Sequence, residues 1–151
     1  MKSDLVKRIS LRRVLMVIGS FIIGVLTDIS FSYFMDGIPV LYYDNLKHTD
    51  IISVQITQGD ETVLLTDATD IEKAARFVCT LRYRFGKAKD SEAEVMYVFS
   101  FEDGTKMEIG ANSTTVFKNG KQYRGDSDSC EFFITCTKGM FFHGRTARSG
   151  P

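Results

Sequence analysis

Four cations fall within one short stretch of this chain, Arg82, Arg84, Lys87 and Lys89 in "RYRFGKAK", with Tyr83 and Phe85 between them. Guanidinium and ammonium groups at that density attract anions, so the stretch reads as a surface for phospholipid headgroups, wall polyanions or an acidic protein face. The plainer reading is a solvated helix end whose basic residues match the negative end of the helix dipole. The other residues capable of chemistry are scattered. His48 lies in a connector and His143 in a tail, and neither has the cluster of His, Cys or acidic ligands at set spacing that a zinc site uses. No metal site and no cofactor is expected.

"GDSDSCE" (Gly125–Glu131) alternates acids as a calcium loop does, but it lacks the central glycine, and Glu131 comes too early for the closing bidentate ligand. Acids opening a helix explain it more simply. Glu92, Glu102 and Asp103 sit in polar loops or a tight turn, where solvation keeps a carboxyl from being tuned for acid–base work near neutral pH. No G-x-S-x-G elbow, P-loop or G-x-G-x-x-G occurs. These readings point to a noncatalytic protein.

Three cysteines remain. Cys130 and Cys136 on one helix would stand about 9 Å apart along its axis, beyond the roughly 7 Å limit for a disulfide. Cys79 is free to bridge either of them in an oxidising compartment, and buried thiols are the alternative.

Such residues need elements to hold them. The first is "VLMVIGSFIIGVLTDISFSYFM" (Val14–Met35), which follows a start carrying Lys2, Lys7, Arg8, Arg12 and Arg13 against Asp4. The uncharged run to Thr27 spans only ~21 Å as a helix and the whole stretch ~33 Å, against a bilayer core of roughly 30 Å. A span must therefore include Asp28, at a cost of about 2.5–3.5 kcal/mol or less off the midplane. Three readings compete: a retained transmembrane anchor, a signal peptide cut near Ser30-Phe31-Ser32, and a buried soluble helix. The apolar character on all faces and the basic block favour the first. The positive-inside bias then places the N-terminus in the cytoplasm and the bulk of the chain outside. Asp28 either is tolerated there or pairs with a polar group of another membrane protein.

The 19 basic and 19 acidic side chains cancel overall, but from Asp36 onward acids outnumber bases by 17 to 14. A mildly acidic domain gives no support for nucleic-acid binding.

Residues 36–49 read as a juxtamembrane connector in which Gly37 and Pro39 interrupt helix, with Tyr42 and Tyr43 at the headgroups or under the domain. Strands are predicted at Ile51–Thr57 and Thr62–Thr66. A helix follows from Thr69 to a stop at Gly86, with Thr69 and Glu72 as a capping box and Ile71, Ala74, Ala75, Val78 and Leu81 as its apolar stripe. "EVMYVFSF", "TKMEIG", "TTVFK" and "KQYR" make a meander turned at Asp103-Gly104 and Asn119-Gly120. A closing helix runs from about Ser129 to Lys138, with Asp128 and Glu131 spaced as a cap and Gly139 as its stop. The order ββ-α-ββββ-α predicts an α+β domain over 50–139, its antiparallel sheet flanked by helices on one side, and then a polar tail at 140–151.

"DATDIEKAARFV", "YVFSFEDGTKMEI" and "VFKNGKQYR" resemble the YhfM-like domain, found among small extracytoplasmic domains of Gram-positive bacteria, over residues 50–137. The resemblance implies a membrane- or lipid-anchored envelope protein and brings no activity with it. The lipoprotein version carries an attachment cysteine, and this chain has none before Cys79. The expected role is a membrane-anchored extracytoplasmic binding or interaction module, partnered with the membrane through residues 14–35 and with another envelope protein. The alternative is a secreted inhibitor- or immunity-type protein released near Ser32.

Overall fold

A computed structural model describes residues 2–42, 46, 50–89 and 91–142, with residues 2–10 described as backbone only. The expectations for Tyr43, His48, His143 and the tail beyond residue 142 lie outside the described residues. The chain divides into two compact units, Met1–Asp36 and Gly37–Pro151.

The first unit is one helix, α1 (Lys2–Asp36). It continues unbroken through the basic start and through Ser30–Ser32, so it is longer than the 14–35 stretch. Leu11–Asp36 has a mean hydropathy of 2.2 with none of it buried in the protein. At 26 residues it is long and apolar enough to cross a membrane, a property that a signal sequence near an N-terminus shares. Its hydroxyls turn back on the helix, with Thr27 Oγ1 donating to the Ile23 carbonyl at 2.8 Å and Ser32 Oγ to Asp36 Oδ2 at 3.1 Å.

The second unit is α+β, as the pattern predicts. Its elements are β1 (Ile38–Pro39), β2 (Ile51–Gln58), β3 (Glu61–Leu65), α2 (Ala68–Val78), β4 (Arg82–Tyr83), β5 (Val95–Phe101), β6 (Lys106–Ala111), β7 (Thr115–Lys118), β8 (Lys121–Arg124) and α3 (Ser127–Thr137). Six strands form one antiparallel sheet in the order β3-β2-β5-β6-β7-β8, and β1 pairs with β4 apart from it. Alternation sends Val54, Ile56, Val95, Tyr97, Phe99 and Ile109 into the core. There they meet the apolar stripes of α2 (Ile71, Ala74, Ala75, Val78) and α3 (Cys130, Phe133, Ile134). The turn at Asn119-Gly120 takes positive φ at both residues, 49° and 76°, the geometry that matches the twist of a two-residue hairpin.

Inside this core one polar pair is fully buried. Thr137 Oγ1 donates to the Phe133 carbonyl at 2.8 Å, so it accepts from the Tyr97 hydroxyl at 2.7 Å. Burial raises the Tyr97 phenol far above its ordinary pKa, outweighing the Thr137 bond that lowers it, and it stays a neutral donor.

Several boundaries differ from the sequence expectations. α2 stops at Val78, eight residues before Gly86, because Thr80 and Leu81 turn back onto the Phe77 and Val78 carbonyls. Leu81 is buried as its spacing implies, yet it is delivered by that turn. Arg82 and Arg84 are therefore not in a last helical turn, since Arg82 lies in β4, paired with Pro39. The cap of α2 is Asp67, whose carboxylate accepts from the Thr69 and Asp70 amides, while Glu72 pairs with Arg76. Asp126 caps α3, which starts at Ser127, and Gly139 does not end the chain's helical path: a wider π-type turn (Lys138–Phe142) carries Phe141 into the core. The 36–49 connector is partly domain, since Ile38 and Pro39 join a ladder and Val40 and Leu46 are buried in the core.

Candidate functional site

The basic segment is built where β4 runs out beside the end of β8. The Arg84 amide donates to the Arg124 carbonyl at 2.8 Å, and the Asp126 amide to the Arg82 carbonyl at 2.9 Å. This brings Arg84 onto Asp126, with Nε 2.6 Å from Oδ1. The other oxygen of the same carboxylate accepts from the Ser129 amide at 3.2 Å and so caps α3. One aspartate thus serves both the helix and the cation. Burial pushes the Asp126 carboxyl up, but the Arg84 and Ser129 donors pull harder and leave it below the ordinary range.

Between Arg84 and β5 the described segment forms no regular element and meets side chains of β7 and β8. Side chains strap it down through its carbonyls: Arg124 Nη1 donates to Phe85 O at 3.5 Å, Thr115 Oγ1 to Lys89 O at 3.2 Å, and Gln122 Nε2 to Ser91 O at 3.4 Å. Asn112 adds Nδ2 bonds to Ser91 Oγ and Glu92 O at 2.9 and 2.8 Å. With its backbone so occupied, the segment turns Phe85, Lys87 and Lys89 to solvent.

A cleft of about 600 Å³ opens there, lined by Arg84, Lys87, Lys89 and Arg124 with Asp126 and Asp128. Four cations against two carboxylates leave it net positive, and Asp126 is already engaged by Arg84. Of the four cations in the sequence cluster, three line this cleft. Arg82 does not: its guanidinium lies 3.5 Å from the Gly37 carbonyl. Arg124 joins from another strand, and no local signal in "KQYRG" marks it. The cleft can bind an anion through charge-assisted hydrogen bonds.

The remaining candidates are quieter. Asp103 is a turn residue whose carboxylate accepts from the Thr105 hydroxyl (2.6 Å) and amide (2.9 Å), which holds its pKa below the ordinary range. It borders a second cleft of about 450 Å³ with Asp50 and Glu102 over Leu41, Phe101 and Met107. The three cysteines are free thiols, and burial raises Cys79 and Cys130 to about 11 each, so both are protonated at neutral pH. Among the described residues no group of three or more His, Cys, Asp or Glu is arranged to hold a metal ion.

The double duty of Asp126 is testable. Asparagine caps a helix about as well as aspartate, whereas alanine does not. Asp126→Ala is therefore expected to destabilise the domain by about 1–2 kcal/mol through the lost cap, and Asp126→Asn by about 1 kcal/mol or less through the lost ion pair. A depressed carboxyl stabilises above its unfolded pKa and loses that contribution as pH falls through its folded value. Urea titrations of wild type and Asp126→Asn should thus differ at pH 7, and the gap should narrow as the pH falls below the ordinary carboxylate range. An undiminished gap in acid would mean that the charge is not what Arg84 contributes.

Compared with family models, with curated proteins and with solved structures, the chain finds no match.

Proposed function

We propose that this chain is a noncatalytic binding module of the bacterial cell envelope, held in the membrane by α1, with its N-terminus cytoplasmic and its α+β domain on the extracytoplasmic side. The observation that carries this reading is the pairing of a fully exposed 26-residue apolar stretch with a domain that has its own core. Left in water, that stretch would expose a row of large aliphatic and aromatic side chains from Leu11 to Met35, and a bilayer relieves this. The basic residues ahead of it supply the orientation. The resemblance to the YhfM-like domain points the same way. A binding role fits a cleft in which cations outnumber carboxylates four to two, while burial keeps the Cys79 and Cys130 thiols protonated at neutral pH.

A C-terminally tagged copy, followed by intact mass and by protease added to whole protoplasts, tests this. The expected product is full length, membrane-bound and cut from outside. A shorter product in the medium beginning near Tyr33 would replace this reading with the secreted inhibitor- or immunity-type protein.

A further inference from the structure

We propose that the basic segment and its cleft dock on anionic phospholipid headgroups of the same membrane that holds α1, an inference that rests on the anchor reading above. The domain begins at Gly37, and β1 fastens that start directly to the basic segment: Ile38 pairs with Tyr83 and Pro39 with Arg82. A side chain built on Gly37 would lie 3.2 Å from the Tyr83 carbonyl and 3.7 Å from Arg84 Cγ. Gly37 is one residue, about 3.8 Å, beyond the last residue of the apolar stretch. A headgroup layer occupies roughly 5–7 Å on each side of the hydrocarbon. On the anchor reading, the short chain path from α1 through β1 leaves Arg84 within reach of the headgroups, and Lys87 and Lys89 follow three and five residues on.

Charge alone would suit a soluble phosphate ester equally well. Phe85 separates the two. It stands 67% exposed between Arg84 and Lys87, where a soluble anion gains nothing from it. An aromatic ring flanked by cations is the composition of a membrane-interface contact, the ring entering the acyl boundary while the cations meet phosphate. Arg84, Lys87, Lys89 and Arg124 outnumber the two cleft carboxylates, and Lys87 and Lys89 have no ion-pair partner among the described residues. The straps from Thr115, Gln122 and Arg124 present the segment already ordered, which reduces the entropy lost on docking.

The chain contains no tryptophan, so Phe85→Trp supplies a single reporter on an exposed position. The full chain carrying it would be placed in nanodiscs of phosphatidylcholine alone or with phosphatidylglycerol. Blue-shifted emission, quenched by brominated acyl chains, is expected in the anionic discs only. It should be reversed by salt and weakened about fivefold per lysine in Lys87→Ser and Lys89→Ser. Identical, water-like emission in both discs overturns the docking while leaving the anchor intact. Failure of the chain to enter either disc overturns the anchor reading and this one together. Amide shifts at residues 87–89 on adding glycerol 1-phosphate that are equal in neutral and anionic discs would assign the cleft to a soluble phosphate ester and refute the membrane contact.

Discussion

Phe133→Ala is expected to lower the stability of the α+β domain by about 3–5 kcal/mol, the range for truncating a fully buried phenylalanine. Phe133 is 0% exposed, and its ring centre lies 5.0 Å from that of Tyr97, which in turn lies 6.0 Å from Phe99. This stack joins α3 to the central strand β5. Removing the ring leaves a void beside Tyr97, whose hydroxyl bond to Thr137 depends on α3 staying in place. A domain of this size has a total stability of about 5–15 kcal/mol, so the variant should sit close to unfolding. Urea titration followed by far-ultraviolet circular dichroism would show a large fall in midpoint with little change in slope. A loss below about 1 kcal/mol would mean that the site collapses around the void, contrary to a close-packed core.

The second large effect is expected at Gly110, in β6. It is paired with Met96 on one side and Phe117 on the other. A Cβ there would lie 2.5 Å from the Val95 carbonyl oxygen and 3.1 Å from Met96 Cα, both backbone atoms of the neighbouring strand. Backbone cannot swing away as a flexible side chain can, so Gly110→Ala must shift β6 against β5. The expected loss is about 2–3 kcal/mol, at the upper end of typical overpacking. Gly139→Ala is the control, because nothing lies within 4 Å of its added methyl. It should leave stability unchanged or raise it by a few tenths, roughly the gain from stiffening the unfolded chain. Equal losses in the two variants would show that crowding at β6 is not the cause.

The strands were legible because their signals are local. β5 through β8 follow from alternating apolar residues and from Asp-Gly and Asn-Gly turns, and the observed bounds differ by about a residue. The end of α2 was not legible, because Leu81 happens to fit a helical stripe while tertiary pairing decides its backbone. Nothing near residue 82 in the sequence announces that Pro39 will lie beside it. The candidate site divides the same way. Arg84, Lys87 and Lys89 are sequence neighbours and visible as a cluster. Arg124 and Asp126 arrive from 40 residues away, and their roles exist only once β8 lies beside β4. Arg82 reaches toward the Gly37 carbonyl and does not line the cleft, a direction that a count of nearby charges does not carry.

The two-residue ladder at Ile38–Pro39 has a mechanical side. Any pull on the domain through its first residue is borne by β1 before it reaches the six-stranded sheet. That strand is weak in tension: Pro39 has no N–H to donate, and the next amide along, Val40, holds the Leu81 carbonyl at 3.0 Å. Behind it, Val40 and Leu46 are the apolar plugs that must leave the core before load arrives at Ile51. Peeling residues 37–50 would lengthen the tether by up to about 45–50 Å at full extension, while the sheet, α2 and α3 stay assembled. On the anchor reading, these first residues, held by the short ladder and by Lys118 Nζ on the Val40 carbonyl at 2.8 Å, would yield to force before the sheet behind them.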